Sequence, residues 1–204
     1  MEIQFYGANC LRITTKKATV VIDDTDAKFA KSGDITLFTG NHLTPTADVK
    51  IVIEQPGEYE VSDTSIQGIA ARAHMDEVGG LSTTIFKIIG ADVRVVVLGH
   101  VYPELDDDQL EALGTIDVLI VPVGGHGYTL DAIGALKLIK KIEPKIIIPT
   151  HYADDSVNYE VPQTTLEDVL KELSMEPKET LPKLKLKAGE LLGESNQLIV
   201  LERQ

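Results

Sequence analysis

The sequence predicts an α/β fold built as a layered sandwich with mixed sheets, and two features of its hydrophobic pattern carry this prediction. The first half of the 204 residues consists of short apolar or alternating runs separated by turn residues, a pattern that is typical of strands. In the second half, apolar strand runs alternate with amphipathic helical segments. Because strands dominate early and the alternation comes late, the order favours a layered sandwich over a regular doubly wound sheet.

Each element follows from a local signal. The strands predicted in the first half cover residues 3–6, 11–15, 19–22, 35–38, 49–54, 65–71, 83–88 and 93–98. Three aspartates at 106–108 predict a helix start, because negative charge in the first turn complements the helix dipole. A helix at 130–142 has an apolar stripe, and a capping box at 165–168 opens another that continues to 173. The remaining predicted strands are 118–121, 146–148, 184–186 and 198–201.

Composition excludes several classes of function. Nineteen Lys and Arg against 32 Asp and Glu give a formal net charge of −13, so nucleic acid and anionic lipid would be repelled. No apolar run is long enough for a membrane helix, and the first residues enter a strand pattern rather than a signal peptide. The single cysteine, Cys10, agrees with a reducing compartment. We therefore expect a cytoplasmic protein with no nucleic-acid or membrane partner. The composition does not decide whether the protein binds a small-molecule ligand.

The domain organisation is predicted to be simple. No Pro-, Gly- or Ser-rich linker, low-complexity tract or fixed-period repeat interrupts the chain. We expect one domain over residues 1–204, whose oligomeric state the sequence does not indicate.

Three of the five histidines follow apolar strand runs: His42, His100 and His151. Ligands and catalytic groups of α/β folds gather where strands end, so these side chains are candidates to converge. Three neutral imidazoles and a water would complete a tetrahedral zinc site. The alternative is that each histidine only hydrogen-bonds to backbone or water, and the spacing taken alone favours that alternative.

Four segments resemble a known family in the same order along the chain. They are residues 5–13 (FYGANCLRI), 55–61 (QPGEYEV), 117–125 (DVLIVPVGG) and 144–152 (PKIIIPTHY). Together they resemble the metallo-β-lactamase superfamily, and more narrowly its small bacterial Zn-dependent hydrolase branch, relatives of the L-ascorbate-6-phosphate lactonases. The resemblance implies the four-layer αββα sandwich, with a metal site at one edge where loops from both sheets meet.

The metal ligands of that family are only partly present. Residues 40–45 align with its H-x-H-x-D-H signature and retain the second histidine, His42. Thr44 stands at the carboxylate position and cannot replace an aspartate that binds the second metal. The family's Leu-Gly-Asp motif aligns with 98–100, which places His100 at the bridging aspartate position, and His151 aligns with the last ligand histidine. The resemblance therefore implies that most ligands of a dinuclear centre are absent.

Three further residues have weaker claims on the site. By the same resemblance, Asp23 braces the loops around the metal site through hydrogen bonds. His126 lies in a Gly-rich loop that overhangs the site in relatives, where it either faces the cleft or faces solvent. His74 lies with Asp76 in a stretch similar to the family's His-Asp-rich loop, and it is a candidate to line the pocket.

Two functions follow from this ligand set. The first is a metallo-β-lactamase-fold protein without ordinary dinuclear hydrolase activity, which serves a non-catalytic or binding role. The second is a mononuclear hydrolase of a small ester, lactone or phosphoester, with the metal held by His42, His100 and His151. The implied cofactor is accordingly one zinc, manganese or iron ion, or none. The loss of ligands favours the first function, whereas the three remaining histidines are what the second requires.

Overall fold

A computed structural model describes residues 1–25, 33–40, 50–187, 189 and 196–204. Its strands, numbered along the chain, form two sheets. Sheet 1 contains β1 (Glu2–Gly7), β2 (Cys10–Thr14), β3 (Thr19–Ile22), β4 (Ile35–Leu37), β5 (Val52–Ile53) and β13 (Leu184–Lys185). The order across the sheet is β13-β1-β2-β3-β4-β5. β3, β4 and β5 pair in parallel, whereas β13, β1, β2 and β3 pair antiparallel, so sheet 1 is mixed.

Sheet 2 is larger. It contains β6 (Gly57–Val61), β7 (Thr64–Ala71), β8 (Thr83–Gly90), β9 (Val93–Val97), β10 (Val118–Pro122), β11 (Ile146–Thr150), β12 (Glu179–Leu181) and β14 (Gln197–Leu201). The order is β12-β14-β11-β10-β9-β8-β7-β6. β6 to β9 form an antiparallel meander, and β9, β10, β11, β14 and β12 run parallel. The predicted α/β fold with two mixed sheets is confirmed.

Three helices connect the parallel strands: α1 (Asp107–Leu113), α2 (Ala132–Ile142) and α3 (Leu166–Leu173). Each begins at a side chain that accepts a backbone N–H of the first turn, namely Asp106, Asp131 and Thr165. All three contribute apolar side chains to one core that lies against sheet 2. None of the helices in the described ranges has the length and apolarity that crossing a membrane requires.

The two faces of sheet 2 bury different cores. Val95 and Val97 face the first core, which lies between the sheets, whereas the intervening Val96 and the following Leu98 face the helices. This alternation is the two-residue period of a strand, and here both faces are apolar. The central parallel strands are therefore continuous apolar runs in the sequence, and this pattern allowed them to be predicted.

Two strands of sheet 2 were not predicted from the hydrophobic pattern. β6 and β12 are the edge strands, and their side chains are mostly exposed or half-buried. Glu58 and Glu60 of β6 and Glu179 of β12 face solvent, so the apolar signal that marks a buried strand is absent. Each segment pairs with an inner neighbour, and its burial is limited to partly buried side chains that pack on the core, namely Tyr59, Val61 and Leu181.

One buried carboxylate joins the three central strands at the edge where β10 begins. Asp117 accepts hydrogen bonds from the Arg94 backbone N–H at 2.9 Å and from Lys145 Nζ at 2.8 Å. Its own backbone N–H donates to the Arg94 carbonyl, and its carbonyl accepts from Ile146. Asp117 thus holds the first residues of β9, β10 and β11 in register. The histidines follow the opposite ends of β9 and β11.

We predict that Asp117→Ala lowers the free energy of unfolding by about 1–3 kcal/mol, because it leaves the Arg94 N–H without its acceptor. Urea denaturation measures the change. The exposed helix residue Glu111 provides the control, since Glu111→Ala should change stability by less than about 0.5 kcal/mol. Equal effects from the two substitutions would contradict the role assigned to Asp117.

Candidate functional site

His100 and His151 meet at the edge of sheet 2. His151 directly follows β11, and His100 follows β9 after Leu98 and Gly99. Their Nε2 atoms are 3.3 Å apart, and the two rings stand nearly perpendicular with centroids 5.0 Å apart. The structure therefore brings together two of the three histidines that follow strand runs. The third, His42, lies outside the described residues.

Backbone conformation at the strand ends positions both histidines. His151 has a left-handed φ of 57°, and its N–H donates to the Ala8 carbonyl at 2.9 Å. Gly99 has a φ of 63°, and a Cβ at that position would lie 2.5 Å from the Cβ of Thr39. Only glycine combines this φ with such a close approach, so Gly99 lets the end of β9 pack directly against sheet 1.

Gln163 contacts His151 from the loop that precedes α3. Its Oε1 is 3.1 Å from His151 Nδ1, and its Nε2 donates to the Val161 carbonyl at 2.8 Å. Sequence reasoning missed this residue, since Gln163 belongs to none of the segments that carry the family resemblance.

Two tyrosines border the histidine pair. Tyr128 packs edge-on against His100 with ring centroids 4.9 Å apart, and Tyr159 lies 5.2 Å from the His151 ring. The Tyr159 hydroxyl donates to the Tyr152 carbonyl at 2.7 Å. Burial raises the pKa of Tyr159 to about 12, so this phenol stays neutral and keeps its hydrogen at physiological pH. Sequence analysis did not identify either tyrosine, because both lie in loops without a periodic pattern.

Both imidazoles are neutral at physiological pH. Burial, followed by the neighbouring His151, lowers the pKa of His100 to about 3. Burial also lowers the pKa of His151, which is only 5% exposed. Neutral imidazole is the form that binds a metal, so no proton must leave the pair before an ion binds.

Asp23 braces the neighbouring loop of sheet 1. Its two carboxylate oxygens accept from the Thr39 N–H at 2.8 Å and from the Thr39 hydroxyl at 2.7 Å. Burial raises the pKa of Asp23 to about 6 although these hydrogen bonds act in the opposite direction. Since Thr39 also packs against Gly99, Asp23 supports the strand end that carries His100. This geometry agrees with a bracing role, since both carboxylate oxygens hydrogen-bond to Thr39.

His74 and His126 are placed differently from the pair. The His74 backbone N–H donates to the His100 carbonyl at 2.7 Å, but its ring packs at 5.9 Å from Tyr102. The His126 side chain is exposed and its φ is 56°, within the Gly-rich loop after β10. His74 is therefore adjacent to the site through its backbone, and His126 faces solvent.

The pair fits two ligand positions of one metal ion. Zinc–nitrogen bonds of about 2.0–2.1 Å at a tetrahedral angle place two nitrogens roughly 3.3–3.4 Å apart, which matches the observed 3.3 Å between His100 and His151. Within the part of the chain that the structure describes, no group of three or more His, Cys, Asp or Glu side chains is arranged to hold an ion. Among the described residues, the donors that lie together are these two imidazole nitrogens.

Gly124 provides the space for Gln163. A Cβ at Gly124 would collide with Gln163 Oε1 and with the His151 carbonyl oxygen. We predict that Gly124→Ala lowers the free energy of unfolding by about 1–3 kcal/mol through overpacking. Gly40→Ala is the matched control, because a Cβ there would meet none of the described residues within 4 Å and should change stability by less than about 0.5 kcal/mol. Denaturant titration of both variants measures the difference, and a neutral Gly124→Ala would show that the contact is loose.

The lowered pKa of His100 predicts a pH dependence of stability in the metal-free protein. Its pKa is 6.5 in the unfolded chain and about 3 when folded, so only the unfolded state takes up the proton in between. The stabilisation is complete above pH 6.5 and is lost as the pH falls toward 3. We therefore expect the free energy of unfolding to fall more steeply over this range than in His100→Gln.

Asp23 acts with the opposite sign in the same experiment. Its pKa rises from 3.8 to about 6 on folding, so its contribution to stability decreases as the pH rises through that window. Because Asp23 is present in both proteins, its contribution cancels in the difference between their curves. Urea titrations at stepped pH give that difference, and parallel curves would contradict the assignment to His100.

Comparisons with known proteins place the chain in a family. A family model described as a beta-lactamase superfamily domain matches residues 2–151. A UPF0173 protein from Pyrococcus abyssi is 26% identical over 183 residues, covering 74% of this chain and 83% of that protein. A UPF0173 metal-dependent hydrolase from Aeropyrum pernix is 28% identical over 170 residues, covering 64% of this chain and 70% of that protein.

Solved structures agree with this placement. A candidate Zn-dependent hydrolase of the metallo-beta-lactamase superfamily from Thermotoga maritima has a TM-score of 0.73 at 26% identity, covering 100% of this chain and 99% of that one. A metal-dependent hydrolase candidate from Parabacteroides distasonis has a TM-score of 0.66 at 18% identity, covering 99% and 93%. The expected family is confirmed: this chain belongs to the beta-lactamase superfamily, and its two mixed sheets form the metallo-β-lactamase fold.

Proposed function

We propose that this protein lacks ordinary dinuclear hydrolase activity and binds one metal ion or small ligand at the His100–His151 pair. The observation that carries the proposal is the direct approach of the two rings, with Nε2 atoms 3.3 Å apart. A dinuclear centre requires two ions roughly 3.5–4 Å apart with oxygen ligands that clamp both. His100 stands at the aligned position of the bridging aspartate, and it turns a single nitrogen rather than two oxygens toward His151.

The relatives support a role for a metal. The relative from Aeropyrum pernix is named a metal-dependent hydrolase, and the Thermotoga maritima protein is named for zinc. Both imidazoles of this chain are neutral, the charge state in which imidazole binds a metal, and imidazole suits zinc and iron. Metal binding therefore agrees with the family, whereas the proposed lack of dinuclear activity rests on the residues of this chain alone.

A second candidate is a mononuclear hydrolase acting on a small ester, lactone or phosphoester. The match between the 3.3 Å separation and two ligands of one tetrahedral ion favours it. His42 would be the third ligand, together with His100 and His151. A bound zinc, manganese or iron ion would supply Lewis-acid polarisation of a substrate oxygen. Tyr128 and Tyr159, which border the pair, would exclude water from one side of the substrate.

We predict that the metal-free protein takes up about one equivalent of zinc per chain and that His151→Asn removes this binding. His126→Asn is a closely matched control, because His126 and His151 have φ values of 56° and 57° and asparagine tolerates that conformation. Elemental mass spectrometry after dialysis measures the bound zinc in all three proteins. Two equivalents would overturn the proposal, as would zinc that His126→Asn removes and His151→Asn retains.

Activity assays on the zinc-loaded protein separate the two candidates. Binding without turnover of esters, lactones and phosphodiesters is the result expected for a binding role. Turnover that disappears in both His42→Ala and His151→Asn would instead establish the mononuclear hydrolase.

A further inference from the structure

We propose that Gln163 is a positioning residue that holds the hydrogen of His151 on Nδ1, so that the Nε2 lone pair faces His100 and the cleft. The orientation of the Gln163 amide carries the inference. Its Nε2 donates to the Val161 carbonyl at 2.8 Å, which leaves Oε1, an acceptor only, 3.1 Å from His151 Nδ1. The Nδ1 atom must then donate, and a neutral imidazole with its hydrogen on Nδ1 has a bare Nε2.

The loop around Gln163 is held on both sides of that residue. The Thr164 N–H donates to the Gly124 carbonyl at 2.9 Å, and the Ala153 N–H donates to the Thr164 carbonyl at 2.9 Å. Thr165 then caps the N-terminus of α3. Gly124 has no side chain where a Cβ would collide with Gln163 Oε1. The backbone therefore fixes Gln163 against His151 through contacts that do not depend on a bound ligand.

The tautomer of His151 determines that of its neighbour. With a bare Nε2 on His151, the 3.3 Å contact is favourable in the metal-free protein only if His100 carries its hydrogen on Nε2. Gln163 thus leaves Nε2 of His151 with a free lone pair for a metal. In the metal-free protein, His100 donates a hydrogen bond to that atom. Outer hydrogen bonds of this kind orient metal-binding histidines and raise their basicity. The consequence for metal affinity rests on the proposed function, whereas the tautomer of His151 does not.

Nitrogen-15 NMR of the metal-free protein tests the tautomer. The wild type should show His151 with its hydrogen on Nδ1 and His100 with its hydrogen on Nε2. Gln163→Leu removes the acceptor and should convert His151 to the Nε2–H form or to a mixture. Gln163→Glu keeps an acceptor at the same reach and should restore the Nδ1–H form. Gln67→Leu, a half-buried glutamine on β7 near the far edge of sheet 2, should leave both histidines unchanged.

Zinc titration against a competing chelator tests the consequence. Gln163→Leu should bind zinc about 10–100-fold more weakly than the wild type, and Gln67→Leu should bind equally well. An unchanged His151 tautomer in Gln163→Leu overturns the inference whether or not zinc binds. The predicted tautomer change in a protein that binds no zinc supports the role of Gln163 and refutes the metal-binding form of the proposed function.

If Gln163→Leu fails to fold, Gln163→Glu and the wild type still decide the question. A wild-type His151 with its hydrogen on Nε2 contradicts the assigned amide orientation directly. Chemical shifts of the remaining amides in each variant report whether the fold is intact.

Discussion

The parallel register of β9, β10 and β11 is the constraint on which the site depends. Val97, Ile120 and Ile148 lie side by side across these strands, and His100, Val123 and His151 each follow three residues later. The histidines are therefore at one level, separated by the width of two strand spacings, about 9.5 Å between backbones. Their rings nevertheless meet, with Nε2 atoms 3.3 Å apart.

Burial governs the chemistry of the pair as well as its position. The chain carries a net charge of −13, yet its cleft contains two imidazoles that burial keeps neutral. In water, a histidine this close to another would titrate near neutral pH. Here desolvation disfavours protonation of both rings, and the neighbouring His151 further disfavours protonation of His100, so both imidazoles stay neutral. The same burial raises the pKa of the bordering Tyr159 from 10 to about 12, so its hydroxyl remains a hydrogen-bond donor even at alkaline pH.

The sequence allowed the central strands to be predicted because both faces of sheet 2 are covered by apolar cores. It also pointed to His100 and His151, since a polar side chain directly after such a strand stands out. Gln163 and Tyr128 could not be found in this way. Their positions depend on long-range contacts of loops, such as the Thr164 N–H to Gly124 hydrogen bond, which leave no periodic signature. Likewise, β6 and β12 are edge strands with only partly buried side chains, so a pattern based on burial misses them.

Within this fold, replacing one side chain changes how many ions the site suits. A carboxylate at the end of β9 would offer two oxygens and could join two ions, whereas His100 offers one nitrogen to the cleft. Asp23 clamps Thr39, and Thr39 packs on Gly99, so the strand end that carries His100 is held by contacts that do not involve the His100 side chain. On the proposed function, the geometry of the scaffold and the number of ions at the site are therefore separable, and the imidazole pair determines the number of ions.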